Sequence, residues 1–365
     1  MRPHIPAAVF LRVLLVARLL REVSFLGAEA LVKSPARQAI GVRQSFGDDA
    51  LEYFTERLSV ERLRQTTVGV VRKAKRNKAF QDSRWIGLAF DGSGVGRSTT
   101  KRCEGCRPVR NKEKEITGYH HKIVMVSVVG TGLSLPLDVE PYGPGDSEYA
   151  GGQRLLRRAV KNLGTRFADY AVVDGGFATA PFLHAAGDMG LKVVARLKDN
   201  LPELSRAAER RFAPKPPDRR FRDGRDQVEL WDADDFDPWE GLRWETVRVL
   251  RYRQRKPDGT AVEAYWLTNW SESEVGSQAL YHMAKSRWEI ENQGFNDAKN
   301  RYGLEHICHH HPNSLLVNWL VTVLTLTLER LYRNRYLHRG THTVLQAVSL
   351  VRLLWISLGR APDSS

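Results

Sequence analysis

The chain has 365 residues, 42% of them hydrophobic, with a formal net charge of +14 at pH 7. That length suggests two domains, or one with a large insertion, and enough apolar side chains for a proper core. The basic excess points to a polyanion partner, most often nucleic acid. Only three cysteines, Cys103, Cys106 and Cys308, are present, which excludes a disulfide framework.

In chain order, the opening MRPHIPAAVFLRVLLVARLLREV resembles a signal peptide, but Arg12 and Arg18 interrupt its apolar run and no small-residue cleavage site follows. The expectation is an all-helical N-terminal region over 1–82. It closes on the basic run 71-VRKAKRNKAF-80, where Lys73, Arg76 and Lys78 form either a solvated surface or a phosphate-contacting helix.

The pattern then turns to strands. 85-WIGLAFD-91 reads as a short apolar strand ending in an acid. The segments 121–130 and 133–142 read as an antiparallel pair joined through Gly130-Thr131-Gly132. A helix is expected over 147–162, a buried strand over 169-DYAVVDGG-176, a helix beginning near Pro181, and a strand over 191–198. Regularity dissolves across the Pro- and Arg-rich stretch 199–226, and strand patterns return over 227–270, clearest at 245–253 and 261–270 around a Pro257-Asp258-Gly259 turn. The apolar run 315–328 is too short to span a bilayer and is expected as a buried helix. The compartment is expected to be reducing and cytoplasmic, with no membrane contact.

Between the strands and that buried helix, 286-SRWEIENQGFNDAKNRYGLEH-306 is read as part of one long helix. At 100° per residue, Arg287, Trp288, Phe295, Ala298 and Lys299 lie within about 80° of Glu291, while Glu289 lies about 160° away. That half-apolar stripe should face the protein body. A carboxylate there is costly unless paired or bound to metal. Glu291 is thus either the partner of Arg287 at i, i+4 or a ligand.

Asp91 and Asp174 each follow an apolar strand and precede glycine, which is ordinarily a turn signal. Parallel pairing of those strands would place both acids at one sheet edge, where ligands bind in α/β sheets. A helix packed there could add Glu291. Carboxylates about 4 Å apart repel by roughly 4 kcal/mol at an effective dielectric near 20, so such a cluster needs protons or a cation. Oxygen-only donors suit Mg²⁺ or Mn²⁺, and a pair of such ions suits phosphodiester displacement.

The motifs AFDGS, VVDGGF and RWEIENQGFNDAKN, in this order, resemble the acidic motifs of bacterial insertion-sequence DDE transposases that carry a β-strand insertion before the final Glu. The resemblance runs from about residue 83 to 335. It implies an α/β fold: an RNase H-like mixed sheet with flanking helices, in two parts, 83–198 and 278–335. A strand-rich insertion would occupy 199–277 and a C-terminal tail or helix 336–365. It implies Asp91, Asp174 and Glu291 as a catalytic, metal-binding triad for two Mg²⁺ or Mn²⁺ ions. Arg287, Lys299 and Trp288 would lie against DNA, together with Lys73, Arg76 and Lys78. Partners would be double-stranded DNA, as terminal repeats and target, and a second copy of the chain.

Two departures stand out. The family tyrosine position is Ala284, with Tyr281 the nearest tyrosine, and Lys299 falls eight residues after Glu291 where seven is usual, as though one residue were inserted near Gly294. Some relatives stack a flipped base on tryptophan, which makes Trp266 and Trp270 candidates. A repurposed DNA-binding protein and a metal nuclease without joining activity are the alternatives. Cys103-x-x-Cys106 with His120-His121, and the tract Cys308-His309-His310-His311, are weak metal patterns. 92-GSGVGRS-98 lacks the lysine and spacing of a phosphate loop.

Overall fold

The computed structural model describes residues 5–337 and 346–359. Four helices come first: α1 (Ala7–Leu19), α2 (Phe25–Lys33), α3 (Asp48–Arg57) and α4 (Val60–Arg76). Ser24 and Ser59 cap α2 and α4 by accepting from the N–H groups of Gly27 and Arg62.

Next come β1 (Gly87–Ser98), β2 (Arg107–Arg110), β3 (Ile116–Val129), β4 (Leu135–Pro141), α5 (Glu148–Leu163), β5 (Tyr170–Val173), α6 (Ala180–Asp188) and β6 (Lys192–Leu197). The stretch 199–226 is ordered, against expectation. It forms α7 (Pro202–Phe212), with proline at the start of the helix where its missing N–H costs nothing, and β7 (Arg219–Asp223). A hairpin turn leads to β8 (Asp226–Phe236), then β9 (Val247–Arg255) and β10 (Ala261–Thr268).

The helical tail of the sequence is likewise more broken than its periodicity suggests. It runs α8 (Ser277–Lys285), α9 (Arg287–Glu289), a π-helical turn over Ile290–Phe295, α10 (Asn296–Tyr302), α11 (Pro312–Tyr332) and α12 (Ala347–Ser357). Of the expected tail 336–365, residues 338–345 and 360–365 lie outside the described residues, as do 1–4 at the other end.

All ten strands join one mixed sheet in the order β2-β3-β1-β5-β6-β10-β9-β8-β7, with β4 on β3. β1, β5 and β6 are parallel, and the other pairings are antiparallel. The strands of 219–268 therefore continue the same sheet through β10 on β6.

Side chains alternate across this sheet, as the strand repeat requires. Leu88, Phe90, Val126 and Val128 face one core, with α4 to α7. Ala89, Met125 and Val129 face the other, with α1 to α3, α8 and the helices after it. α11 is longer than the apolar run implied and, by length alone, could cross a bilayer. Its side chains are instead buried against α1, α3, α4 and β4. Among the ties between the N-terminal helices and the sheet, Arg64 of α4 donates to Asp138 of β4 at 3.0 Å, and Arg158 of α5 donates to the same carboxylate at 2.6 Å.

Candidate active site

β1 and β5 pair in parallel from Gly87↔Tyr170 to Phe90↔Val173, and there β5 ends. β1 does not end at Asp91, as its sequence suggested. It continues to Ser98 on β3 alone, with Asp91 opposite Met125. Asp91 thus sits within a strand at the point where its other neighbour has stopped. Asp174 is the first residue after β5 and leads into a 3₁₀ turn at Gly175–Phe177. The two carboxylates occupy the next register position after the last parallel pair. By alternation, Asp91 shares a face with Ala89, the face covered by the segment that carries Glu291.

That segment is anchored at Ser286, whose hydroxyl donates to the Met283 carbonyl at 2.7 Å and lies 3.0 Å from the Tyr170 hydroxyl. Arg287 follows, 9% exposed, and its two guanidinium nitrogens bridge the acids: 3.7 Å to Asp91 Oδ2 and 3.1 Å to Glu291 Oε2. The i, i+4 pair anticipated from the sequence does form, and the same guanidinium reaches the sheet. Lys198, just past β6, donates to Asp174 Oδ2 at 2.7 Å. Side-chain exposure rises from 20% at Asp91 through 33% at Asp174 to 51% at Glu291. Asp91 is the most buried of the three acids and Glu291 the most exposed.

Their electrostatics differ accordingly. Burial pushes the Asp91 carboxyl up to about 6, Arg287 and the Gly92 N–H pull it back, and the nearby Glu148 and Glu291 carboxylates add to the rise. Burial also raises Asp174, but the Lys198 ammonium outweighs it and holds that carboxyl below its ordinary value. Asp91 is therefore a carboxylate short of positive charge. The oxygen-only donor set of Asp91, Asp174 and Glu291 fits a divalent cation, which would take over the neutralising part now shared by Arg287 and Lys198.

Three charged neighbours escaped the sequence reading. Glu148, in the first turn of α5, brings its carboxyl so close to Gly92 that a Cβ there would overlap it, and it accepts a 2.9 Å bond from the Tyr142 hydroxyl. Lys198 is the second. Glu289, placed away from the core by the helical wheel, is more buried than Glu291 and accepts from the Gly130 N–H at 3.3 Å. Burial pushes its carboxyl up to about 7 despite that bond and the nearby Arg330. The only sequence signal for Glu148 was its place behind an N-capping serine. Nothing local marked the other two.

The π-helical turn accounts for the eight-residue spacing to Lys299. A π turn holds one more residue than an α turn. Eight residues through it fall near the angular position of seven in a plain α-helix, about 20° from Glu291 rather than about 80°. Gly294 lies inside the turn, where a Cβ would stand 3.3 Å from Met125 Sδ and 3.5 Å from Ser127 Oγ. Lys299 donates to the Gly94 carbonyl on β1 at 2.7 Å and pairs with Glu305 at 2.9 Å.

The remaining expected residues scatter. Trp288 is half-buried beside Arg287, whose guanidinium carbon lies 4.9 Å from the ring centre. Trp266 and Trp270 are buried, packed edge-on against Trp288 and Trp85, so neither presents a ring face to solvent. Tyr281 is buried and donates to Asp223 of β7 at 2.8 Å, away from the acids. Lys73, Arg76 and Lys78 are exposed at the end of α4. Lys75 between them donates to the Phe167 carbonyl ahead of β5, at the strand end opposite Asp174. The basic run is thus not part of the acidic cluster.

The sequence matches the family model described as Transposase DDE domain over residues 86–328. Among solved structures, the chain is similar to the piggyBac transposase in a cryo-EM structure of its synaptic complex with hairpin DNA. The TM-score is 0.49 at 13% identity, covering 96% of this chain and 70% of that chain. No curated protein matches the sequence.

Proposed function

The chain belongs to the DDE transposase family, and from that premise we propose that Asp91, Asp174 and Glu291 form its metal-binding catalytic triad. Transposases of this family use divalent metal ions. The observation that carries the assignment is the shared register position of Asp91 and Asp174 beyond Phe90↔Val173, with Arg287 joining Asp91 to Glu291.

The reaction is DNA cleavage at the element's ends, freeing a 3′-OH, and attack of that hydroxyl on target DNA: cut-and-paste transposition. Mg²⁺ or Mn²⁺, two ions, would activate the attacking oxygen and stabilise the leaving one. The chain's own contribution is positional. The parallel pairing of β1 with β5 fixes Asp91 and Asp174. The π-helical turn, seated on β3, presents Glu291. Arg287 is held between two acids, and a cation bound there would release its guanidinium toward phosphate oxygens. Trp288 and Lys299 flank that site on the same segment and are the nearest DNA contacts. Lys73, Arg76 and Lys78 would hold DNA remote from the cut, on the N-terminal region 1–82.

The same proposal takes the core, 83–198 with 278–335, as RNase H-like, interrupted by the insertion 199–277. It takes the chain as a bacterial insertion-sequence enzyme, working in the cytoplasm at the nucleoid as a homodimer on paired ends.

The test is Mg²⁺-dependent cleavage and joining of DNA carrying the element's ends, by wild type and Glu291→Gln. Wild-type cutting and joining, with end binding alone in the variant, supports the assignment. Equal cutting by both removes Glu291 from the triad. Cutting without joined product identifies a nuclease.

A further inference from the structure

Two cysteine-histidine patterns that look unrelated in sequence meet in space. Cys103 and Cys106, in the β1–β2 loop, have Sγ atoms 3.7 Å apart. His121 on β3 places Nε2 3.7 Å from Cys103 Sγ and 3.6 Å from Cys106 Sγ. His310, in the connection from α10 to α11, completes the group: one ligand atom from each of the four residues lies within 4.8 Å of all the others. We infer that these four side chains are a tetrahedral Cys₂His₂ zinc site, separate from the acidic cluster.

The spacings favour an ion at the centre. With Zn–S about 2.3 Å and Zn–N about 2.0–2.1 Å, tetrahedral angles put two sulfurs about 3.8 Å apart and sulfur and nitrogen about 3.5 Å apart. The three distances among Cys103, Cys106 and His121 match those edges. They are also at the long limit for thiol hydrogen bonds, so the group gains little from its own contacts.

Three further features support the assignment. Cys103-Glu-Gly-Cys106 forms a tight turn, closed by the Cys106 N–H on the Cys103 carbonyl at 3.2 Å. His310 Nδ1 is buried without a hydrogen-bond partner, and such a group is costly unless something is bound to it. Cys106 and His121 are each 4% exposed, which shields the site from solvent.

The neighbouring candidates are taken by other partners. Cys308 donates to the Val23 carbonyl at 3.1 Å and lies by Arg18, and His309 pairs with Glu56 at 3.1 Å. His120 lies across from Gly94. The metal would pin the β1–β2 loop and β3 to the chain that joins α10 to α11. That chain already holds β1 through Glu305, which accepts from the Gly96 N–H at 3.2 Å.

The test is metal content of the purified full-length protein after desalting, with cobalt(II) replacement as a second readout. The expected result is one tightly held zinc per chain, and for cobalt the intense visible bands and thiolate charge transfer of a tetrahedral S₂N₂ site. Cys106→Ser and His310→Ala should lose both signals. Cys308→Ser should keep them, and so should Asp91→Asn with Glu291→Gln, which separates this metal from any ion of the acidic cluster. Should the ligand variants fail to fold, a zinc chelator applied to wild type should lower its melting temperature, and added zinc should restore it. Zinc-free wild type that takes up no zinc or cobalt, or full zinc in Cys106→Ser, overturns the inference. The outcome does not depend on whether the protein cuts DNA.

Discussion

Asp91 and Asp174 stand side by side at the first register position that β1 and β5 no longer share, one in a continuing strand and the other in a turn. Their surroundings set them apart. Asp174 is partnered by an ammonium. Asp91 shares one guanidinium with Glu291 and has Glu148 close by.

Asp91 makes the stability of the fold depend on pH. The Asp91 carboxyl sits at about 6 in the fold against an ordinary 3.8. A raised carboxyl favours the fold while protonated, and that contribution is lost as pH climbs from about 4 through about 6. A divalent cation that binds the ionised form should reverse this loss. Mg²⁺ or Mn²⁺ should therefore raise the melting temperature at pH 7.5 and do so progressively less below pH 6. Asp91→Asn should abolish the pH-dependent part. An equal metal effect at pH 5 and pH 7.5 would show that Asp91 is no ligand.

Glu289 and Glu291 should behave oppositely. Glu289 is half-buried, with its carboxyl pushed up to about 7 by desolvation, so its ionisation opposes folding as pH rises from 4.5 through 7. Glutamine keeps an oxygen for the Gly130 N–H and removes the charge. Glu289→Gln should stabilise the protein by about 1–3 kcal/mol at pH 8 and hardly at all at pH 4. Denaturant titrations at the two pH values measure it. Glu291→Gln should leave stability within about 0.5 kcal/mol while removing activity.

Gly92 is small because Glu148 fills the space above it. Gly92→Ala forces the flexible Glu148 side chain aside and breaks its bond with the Tyr142 hydroxyl. The expected cost is about 1 kcal/mol, the net worth of one hydrogen bond. Adding Glu148→Ala should make the alanine at 92 nearly free, a coupling that a double-mutant cycle reads directly. Additive costs would mean that the strand itself rejects a side chain there.

Asp138 accepts from Arg64 and Arg158 and is 3% exposed, so it ties α4 and α5 to β4. Asp138→Ala leaves two guanidinium groups facing a missing charge, though Glu140 still reaches both. The expected destabilisation is about 3–5 kcal/mol. Replacing both arginines by methionine in the Asp138→Ala background should recover part of it. Equilibrium unfolding measures each step.

Much of the site was legible because it rests on local patterns. The apolar runs leading to Asp91 and Asp174 declare themselves as strands, although only the second strand ends there; β1 runs on to Ser98 because β3 continues to pair with it. The order of α7 and β7 was hidden, and for β7 the reason is its edge position, which lets charged residues such as Arg220 and Arg222 stand in strand. The helical wheel misplaced Glu289 because burial there comes from the β3–β4 turn, which packs on from another part of the chain. Lys198 and Glu148 reach the acids across long sequence separations, as His310 reaches Cys103. No spacing rule reports such meetings.

The π-helical turn means that counting along this segment is not measuring distance. One extra residue is absorbed as a local widening of the coil, with Gly294 tucked against β3, while Glu291 and Lys299 stay on a common side. The segment therefore behaves like a ruler with one graduation folded under. A search by fixed interval would discard this lysine, whereas one by angular position would keep it. Engineered deletion of Gly294 is thus a gentler change than deletion of either neighbouring turn.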